Sequence, residues 1–448
     1  MAHDQDTHHL FARFQRMLKS YLDAAHELRQ LSDAIERGDL QAESIEARFE
    51  REAARLFPMR PEEYHEPAAR LVHDKVHELM DRRKHLAPDA GDDARKQLLD
   101  AWTSELKVEI TDLTGSPADF WIYSEVWSRV SSSRWGSHVL MASLLTTAIA
   151  DFEVFVSRLI TAVLDARPQI LNESGRTFTL AEVRRFDSIA DVEDAAIADY
   201  VDGQMSGGYE AWAEWLLKRG VKVDGVTREI EPRLIEAFQR RHVLVHSGGH
   251  VDSGYVNKVK STPYKSGDPI VVEAQYLDRT LALLSASVLK LTFATMHHFF
   301  PMEDDVLRDE LESAMEDETF NLLFHDRDLE VVDFETWALP LRTDNGGRLR
   351  AQVNCWLARK RLGDADGVRA EVEAWDATPL SGIYRLVRLA LLGRDAEAHE
   401  LARRLVESEE LHSSALKTWP VLEGLRIYDA AVDDASARIT TVAFEAEH

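Results

Sequence analysis

The feature that most limits the fold of this chain is a helical spacing of apolar residues that runs through long segments. From Tyr276 to Phe300, apolar side chains follow one another at steps of three and four, and from Ser137 to Ala166 they occupy almost every face. Glycine and proline supply only 21 and 13 of the 448 residues, so few positions interrupt such helices. The pattern predicts an all-α protein.

Turn-rich positions divide this chain into three predicted helical regions. Two amphipathic stretches near the start favour a helical hairpin or a short coiled coil. Residues 115–117, Gly-Ser-Pro, mark the first boundary, and the segment beginning Pro301-Met302 marks the second. We therefore expect an N-terminal helical region over 1–116, a central up-and-down bundle over 117–301 and a C-terminal helical region over 302–448.

The C-terminal region contains a faint internal repeat. Leu362-Gly363 and Leu392-Gly393 lie thirty residues apart, each between two helical stretches. The arrangement resembles tetratricopeptide-type helix pairs, whose usual period is about 34 residues. This resemblance implies a surface that contacts a partner protein rather than a site of chemistry.

The net charge of the chain limits how it can bind nucleic acid. A net charge of −26 disfavours a broad basic face. Between Lys218 and Arg241, however, seven basic residues stand against four acidic ones, which leaves room for a small, locally basic cleft. Cys355 is the only cysteine, which excludes an intrachain disulfide and a cysteine-rich zinc site and favours a reducing cytoplasm.

The start of the chain and its most apolar run bear on its location. Residues 1–6 have neither the basic segment nor the apolar core of a secretory signal. Asp151, Glu153 and Arg158 interrupt the apolar run from Val139 to Leu164. We therefore expect a cytoplasmic protein in which this run is a central bundle helix and no segment spans a membrane.

One predicted helix, from Ile230 to His246, carries polar residues close to its apolar stripe. At about 100° per residue, the stripe is centred between Leu234 and Phe238, so Arg241 and His242 are expected to point into it. His246 lies at its edge, just before two glycines that can end the helix. Burying these groups is unfavourable unless they find partners, and such a breach of pattern is typical of a functional site.

The residues around this helix end resemble a known signature. Arg241-His242, followed by His246 and then by the stretch Gly248-Gly-His-Val-Asp-Ser-Gly-Tyr255, is similar to the motif of the HEPN superfamily (higher eukaryote and prokaryote nucleotide-binding). That family more often has Asn or Asp at the position of His242. The resemblance implies a helical bundle and a metal-independent endoribonuclease without a cofactor. It also implies a homodimer or a higher homo-oligomer that brings two copies of the motif together, in bacterial anti-phage defence or a toxin-like system.

The motif residues suit cleavage of RNA through its ribose 2′-hydroxyl. His246 would remove the proton of that hydroxyl, which then attacks the adjacent phosphate and leaves a cyclic phosphate. Arg241 would stabilise the charge on the phosphate oxygens, and His242 would position the phosphate or protonate the leaving oxygen. Arg241, His242 and His246 are therefore the predicted catalytic residues, and RNA is the predicted substrate.

Two other interpretations of the same residues remain open. His242, His246 and His250 are spaced by four, and with Asp252 they could hold zinc, although the two glycines interrupt the helix before His250. Alternatively, the chain is a catalytically inactive scaffold that binds a nucleotide or a partner protein, and the polar groups form a structural network between helices.

Acidic residues of the central apolar helix provide candidate partners for Arg241. Asp151 lies beside the apolar line of that helix, and an ion pair with Arg241 would compensate for its burial. The alternative is that Asp151 lies at the rim and faces water. For Glu153, further round the helix, we expect exposure to water.

Overall fold

The fold is all-α, as the spacing of apolar residues predicts. The computed structural model describes residues 2–37, 45–56, 58, 61–85, 92–131, 134–174, 177–300, 304–411 and 419–425, and within these ranges it contains helices and no strand. The predicted boundary at Pro301-Met302 lies outside the described residues.

The first five helices include a small bundle with its own core. Their bounds are α1 Ala2–Arg37, α2 Ile45–Leu56, α3 His65–Lys84, α4 Asp92–Thr114 and α5 Asp119–Ser131. Helices α2 to α5 pack on one another around buried residues that include Phe49, Ile110 and Tyr123. A turn at Gly115, whose φ of +73° favours glycine, leads from α4 toward α5.

Seven further helices complete the central part of the chain. Their bounds are α6 Arg134–Ala166, α7 Leu180–Val183, α8 Ile189–Ser206, α9 Gly208–Lys218, α10 Pro232–His246, α11 Ser253–Lys258 and α12 Ala274–Phe299. Helix α12 is buried along most of its length, with α1, α6 and α10 packed against it. Capping boxes at Thr179 and Ser188 fix the starts of α7 and α8.

The C-terminal part consists of six helices. Their bounds are α13 Asp305–Phe324, α14 Asp328–Ala338, α15 Asn345–Arg361, α16 Ala365–Ala374, α17 Gly382–Leu391 and α18 Asp395–Glu407. The pairs α15/α16 and α17/α18 each turn at a left-handed glycine, Gly363 (φ +98°) and Gly393 (φ +68°). The two Leu-Gly turns predicted from the repeat are therefore present, each between two helices.

Two helices are long and apolar enough to cross a membrane by length and composition alone. They are the stretch His138–Ala166 within α6, and α12. The most apolar window of α12 is 83% buried among other helices, which is typical of a bundle core, whereas that of α6 is 39% buried. Helix α6 therefore keeps an outer face that includes exposed Val139, Leu140 and Val154.

A fully buried ion pair joins the elements of the C-terminal part. The side chains of Arg342 and Glu335 are 0% and 1% exposed, and Arg342 Nη2 donates to Glu335 Oε1 at 2.7 Å. The hydroxyl of Thr319 on α13 donates to the same carboxylate oxygen at 2.5 Å. The charge of each partner is compensated mainly by the other, since water cannot reach either group.

We expect the variant Glu335→Ala to lower the free energy of unfolding by about 3–5 kcal/mol, because it leaves the Arg342 charge buried without its anion. The double variant Glu335→Leu/Arg342→Met should regain most of that loss, since no buried charge remains. Urea unfolding followed by circular dichroism measures both. Arg403→Ala, which removes a surface pair with Glu400, is the control and should leave the unfolding midpoint nearly unchanged. A single variant as stable as this control would contradict the prediction.

Candidate functional site

Helix α10 turns a different face inward from the one its apolar spacing predicted. Its buried residues are Leu234, Ala237, Arg240 and Val243, at steps of three. Arg241 is partly exposed, and His242 and His246 are exposed. The expectation that His242 points into the apolar stripe is therefore wrong. The physical reason is that Arg240, counted as polar in the sequence pattern, occupies a buried position.

Arg240 is held in the interior by an anion, a carbonyl and an aromatic ring. Its side chain is 8% exposed, its Nε donates to Glu236 Oε1 at 2.7 Å, and its Nη1 donates to the Val271 carbonyl at 2.6 Å. The guanidinium carbon lies 3.9 Å from the centroid of the Tyr276 ring. Burial alone would lower the pKa of Arg240, but Tyr276 and Glu236 hold it above its usual value.

Two tyrosines complete this network around Glu236. The Tyr255 hydroxyl donates to Glu236 Oε1 at 2.6 Å, and the Tyr276 hydroxyl donates to Oε2 at 2.5 Å. Burial raises the pKa of both tyrosines, which keeps them protonated as donors. The network ties α10 to α11 and α12. Sequence reasoning missed it, although the i,i+4 spacing of Glu236 and Arg240 on a helix was visible.

Arg241 is partly exposed and pairs with α6. Its Nη2 donates to the Glu153 carboxylate, and the two side chains are 25% and 31% exposed. The candidate pairing of Arg241 with Asp151 is therefore wrong, and so is the expectation that Glu153 simply faces water. Residues two positions apart on a helix point about 200° apart, so only one of the two carboxylates can face α10. Burial raises the pKa of Asp151, which is half-buried.

His242 and His246 lie one turn apart on the outer surface of α10. Their ring centroids are 4.8 Å apart, and the ring planes are inclined by 48°. Among the residues that the structure describes, none forms a hydrogen bond with either ring. Both imidazoles are therefore open to a ligand that approaches this side of the helix.

The segment after α10 is a turn that is held by hydrogen bonds. Gly248 and Gly249 adopt φ values of +61° and +79°, which favour glycine. The Ser247 hydroxyl donates to Asp252 Oδ2 at 2.9 Å, and Asp252 Oδ1 accepts from the Tyr255 amide at 2.8 Å. The Tyr255 amide and the Ser247 hydroxyl hold the pKa of Asp252 below its usual value, with a smaller contribution from His242.

The glycine turn also bears on the zinc interpretation. His250 lies beyond the turn, where its Nδ1 is 3.2 Å from the Gly248 carbonyl oxygen. Among the described residues, no group of three His, Cys, Asp or Glu side chains is placed to hold a metal ion. His242, His246 and His250 are therefore not brought together as a ligand set with Asp252, because the turn carries His250 off the helix face.

The comparisons with known proteins identify no relative of this chain. No protein-family model, curated protein or solved structure matches this chain. The resemblance to the HEPN superfamily therefore rests on Arg241, His242 and His246 and on the glycine turn that follows them.

We expect the neighbouring arginines of α10 to differ sharply in their effect on stability. Arg240→Ala should lower the free energy of unfolding by about 3–5 kcal/mol, because it leaves Glu236 in the interior without its cation. Arg241→Ala should cost about 1 kcal/mol or less, since water reaches both partners of its ion pair. Urea unfolding of the two variants measures the difference. Equal losses of unfolding free energy would contradict the prediction that Arg240 is a buried structural residue and Arg241 a surface one.

Proposed function

We propose that the protein is a metal-independent endoribonuclease that cleaves RNA through the ribose 2′-hydroxyl and leaves a 2′,3′-cyclic phosphate. The observation that supports this proposal is that solvent reaches all three side chains on α10, since Arg241 is partly exposed and His242 and His246 are exposed. A purely structural network would seal these groups beneath other side chains of the same chain. The sealed arginine in this helix is Arg240 instead.

The chemistry assigns one task to each of the three side chains. His246 removes the proton of the 2′-hydroxyl, and His242 gives a proton to the leaving oxygen. Arg241 stabilises the charge that develops on the phosphate. Glu153 accepts a hydrogen bond from Nη2 of Arg241, so the N–H groups on Nε and Nη1 are left for phosphate oxygens.

The geometry of the two imidazoles supports a homodimer. Rings that share one face of one helix, with centroids 4.8 Å apart, approach a phosphate from the same side. In-line displacement requires the attacking and leaving oxygens on opposite sides of the phosphorus. A second copy of α10 facing the first across the phosphate supplies an acid or a base on the opposite side.

Helices α6 and α10 carry exposed apolar side chains that a second copy can cover. Val245 is 50% exposed and lies one turn from Arg241 on α10, and Val154, the residue after Glu153 on α6, is 48% exposed. Exposed apolar groups beside a polar cleft are common where subunits meet. We assign this face of α6 and α10 to the dimer contact.

The wider role follows from the same resemblance. We place the proposed ribonuclease in the cytoplasm, in bacterial anti-phage defence or a toxin-like system. The helix pairs α15/α16 and α17/α18 provide a surface for a partner protein.

The second candidate is a catalytically inactive HEPN-like scaffold that binds a nucleotide or a partner protein. The ion pair between Arg241 and Glu153 favours it, because the guanidinium already has an anion within its own chain. In this role the arginine joins α10 to α6, and the two histidines do no chemistry.

Purified protein incubated with RNA in the presence of EDTA is expected to cleave it to products with cyclic phosphate ends, and to leave DNA intact. His246→Ala should lower the rate by about 10²–10⁴-fold, and Arg241→Ala by about 10²–10³-fold. His250→Ala, an exposed histidine beyond the glycine turn, is the matched control and should retain activity. Gel electrophoresis and chromatography of the product ends give the result.

The outcomes of this assay separate the candidates. RNA that stays intact with the wild-type protein favours the scaffold. Cleavage that disappears on chelation would contradict the metal-independent mechanism, and so would a rate for His246→Ala equal to that of the control.

Val154→Asp is expected to convert the dimer to a monomer and to abolish RNA cleavage, because it places a charge in an apolar subunit contact. Light scattering after size-exclusion chromatography measures the mass. Val108→Asp is the control, since Val108 on α4 is similarly exposed, at 59%, but lies in the separate bundle. A wild-type protein that is monomeric and cleaves RNA, or a dimer that survives Val154→Asp, would contradict the assignment of this face.

A further inference from the structure

Five of the seven basic residues between Lys218 and Arg241 are paired with a carboxylate in the folded protein. Lys218 pairs with Glu214, Arg228 with Asp224, Arg233 with Glu231, Arg240 with Glu236 and Arg241 with Glu153. Arg219 lies over the Trp215 ring. Lys222 is exposed and has no ion pair in the described part of the chain. Most of the positive charge expected to form a locally basic cleft is therefore already paired.

A larger group of unpaired lysines lies in the segment of chain that follows α10. Residues 253–267 contain Lys258, Lys260 and Lys265 and no acidic residue, in a protein with 79 acidic residues among 448. All three lysines are exposed, and in the described part of the chain no carboxylate pairs with any of them. We name residues 253–267 the lysine loop.

The acidic residues at the two ends of the lysine loop are already engaged. Asp252 accepts from the Tyr255 amide and from the Ser247 hydroxyl. Asp268 Oδ2 accepts from the Lys265 amide at 2.7 Å. Both carboxylates therefore help to shape the loop and leave the lysine ammonium groups to solvent.

The lysine loop is held firmly against the end of α10. A small apolar core beneath it contains Val243, Val251, Tyr255, Val259 and Ile270. Val259 is buried, so the neighbouring Lys258 and Lys260 are carried on an anchored backbone. Backbone hydrogen bonds from Val251 to Asp268 and from Ile270 to Gly249 close the loop beside the glycine turn. The backbone that carries its lysines is therefore anchored beside the end of α10.

We infer that the lysine loop is the binding surface for the phosphate backbone of a single-stranded RNA whose scissile bond lies at Arg241, His242 and His246. The inference rests on the proposed ribonuclease activity for the identity of the polymer. Flexible ammonium groups contact phosphates as point charges and do not read bases, so binding should tolerate any sequence. The strongly negative remainder of the protein disfavours a polyanion elsewhere on the surface.

The test compares two triple variants that change the net charge equally. One is Lys258→Gln/Lys260→Gln/Lys265→Gln. The control is Lys19→Gln/Lys96→Gln/Lys107→Gln, whose lysines are also exposed and without a carboxylate partner in the described part of the chain. The probe is a fluorescent oligouridylate with every 2′-hydroxyl methylated, so that it cannot be cleaved, and its binding is followed by anisotropy.

For the lysine-loop variant, the slope of log affinity against log salt should fall by about 2, since each lost phosphate contact removes about 0.7 on a single strand. Its affinity at about 0.1 M salt should drop roughly 10- to 100-fold. The control variant should bind like wild type. Melting followed by circular dichroism shows that both variants fold.

The outcomes distinguish this inference from the proposed activity. Equal binding by the two variants overturns the inference even if unmodified RNA is cleaved. Loss of binding in the lysine-loop variant supports it even if unmodified RNA stays intact, and the proposed cleavage is then what fails. Binding of polyglutamate in place of the oligouridylate would show that the loop takes an acidic protein, which overturns the inference.

Discussion

The guanidinium of Arg240 has to remain charged inside the protein, and the elements around it are arranged to meet that requirement. Glu236 supplies the anion, the Tyr276 ring covers one face, and the Val271 carbonyl accepts one N–H group. Tyr255 anchors α11 to the same carboxylate. The network fixes the rotation of α10. Because neighbouring helix residues point about 100° apart, it also turns Arg241 toward α6, where it stays partly exposed.

The outward face is where the proposed chemistry can take place. Arg241 pairs with Glu153 but keeps further donors, and the same helix carries two exposed imidazoles one turn apart. The glycine turn then leads to a loop whose lysines have no carboxylate partner among the described residues. In a protein of net charge −26, this is the combination of free cations and titratable groups that a polyanionic substrate requires.

The helices could be predicted from the sequence because apolar spacing and sparse breakers act locally, as in α12 and in the paired helices around Gly363. The rotation of α10 could not, because its buried position holds an arginine whose partners come from residues 236, 271 and 276. The partner of Arg241 could not be predicted either, because it depends on which side of α6 packs against α10. The six-residue α11 is too short to show a helical period in the sequence. Which basic side chains stay unpaired depends on the ion pairs that the fold forms, and these engage five of the seven basic residues between Lys218 and Arg241.

Nuclear magnetic resonance of the histidine rings tests the central claim most directly, since it reports on the imidazoles themselves. The protein is titrated with an oligouridylate methylated at every 2′-hydroxyl, and the ring proton signals are assigned with single histidine variants. We predict that the signals of His242 and His246 shift as the oligonucleotide binds, while that of His26, on α1, does not. Binding that leaves both α10 histidines unchanged would contradict the account.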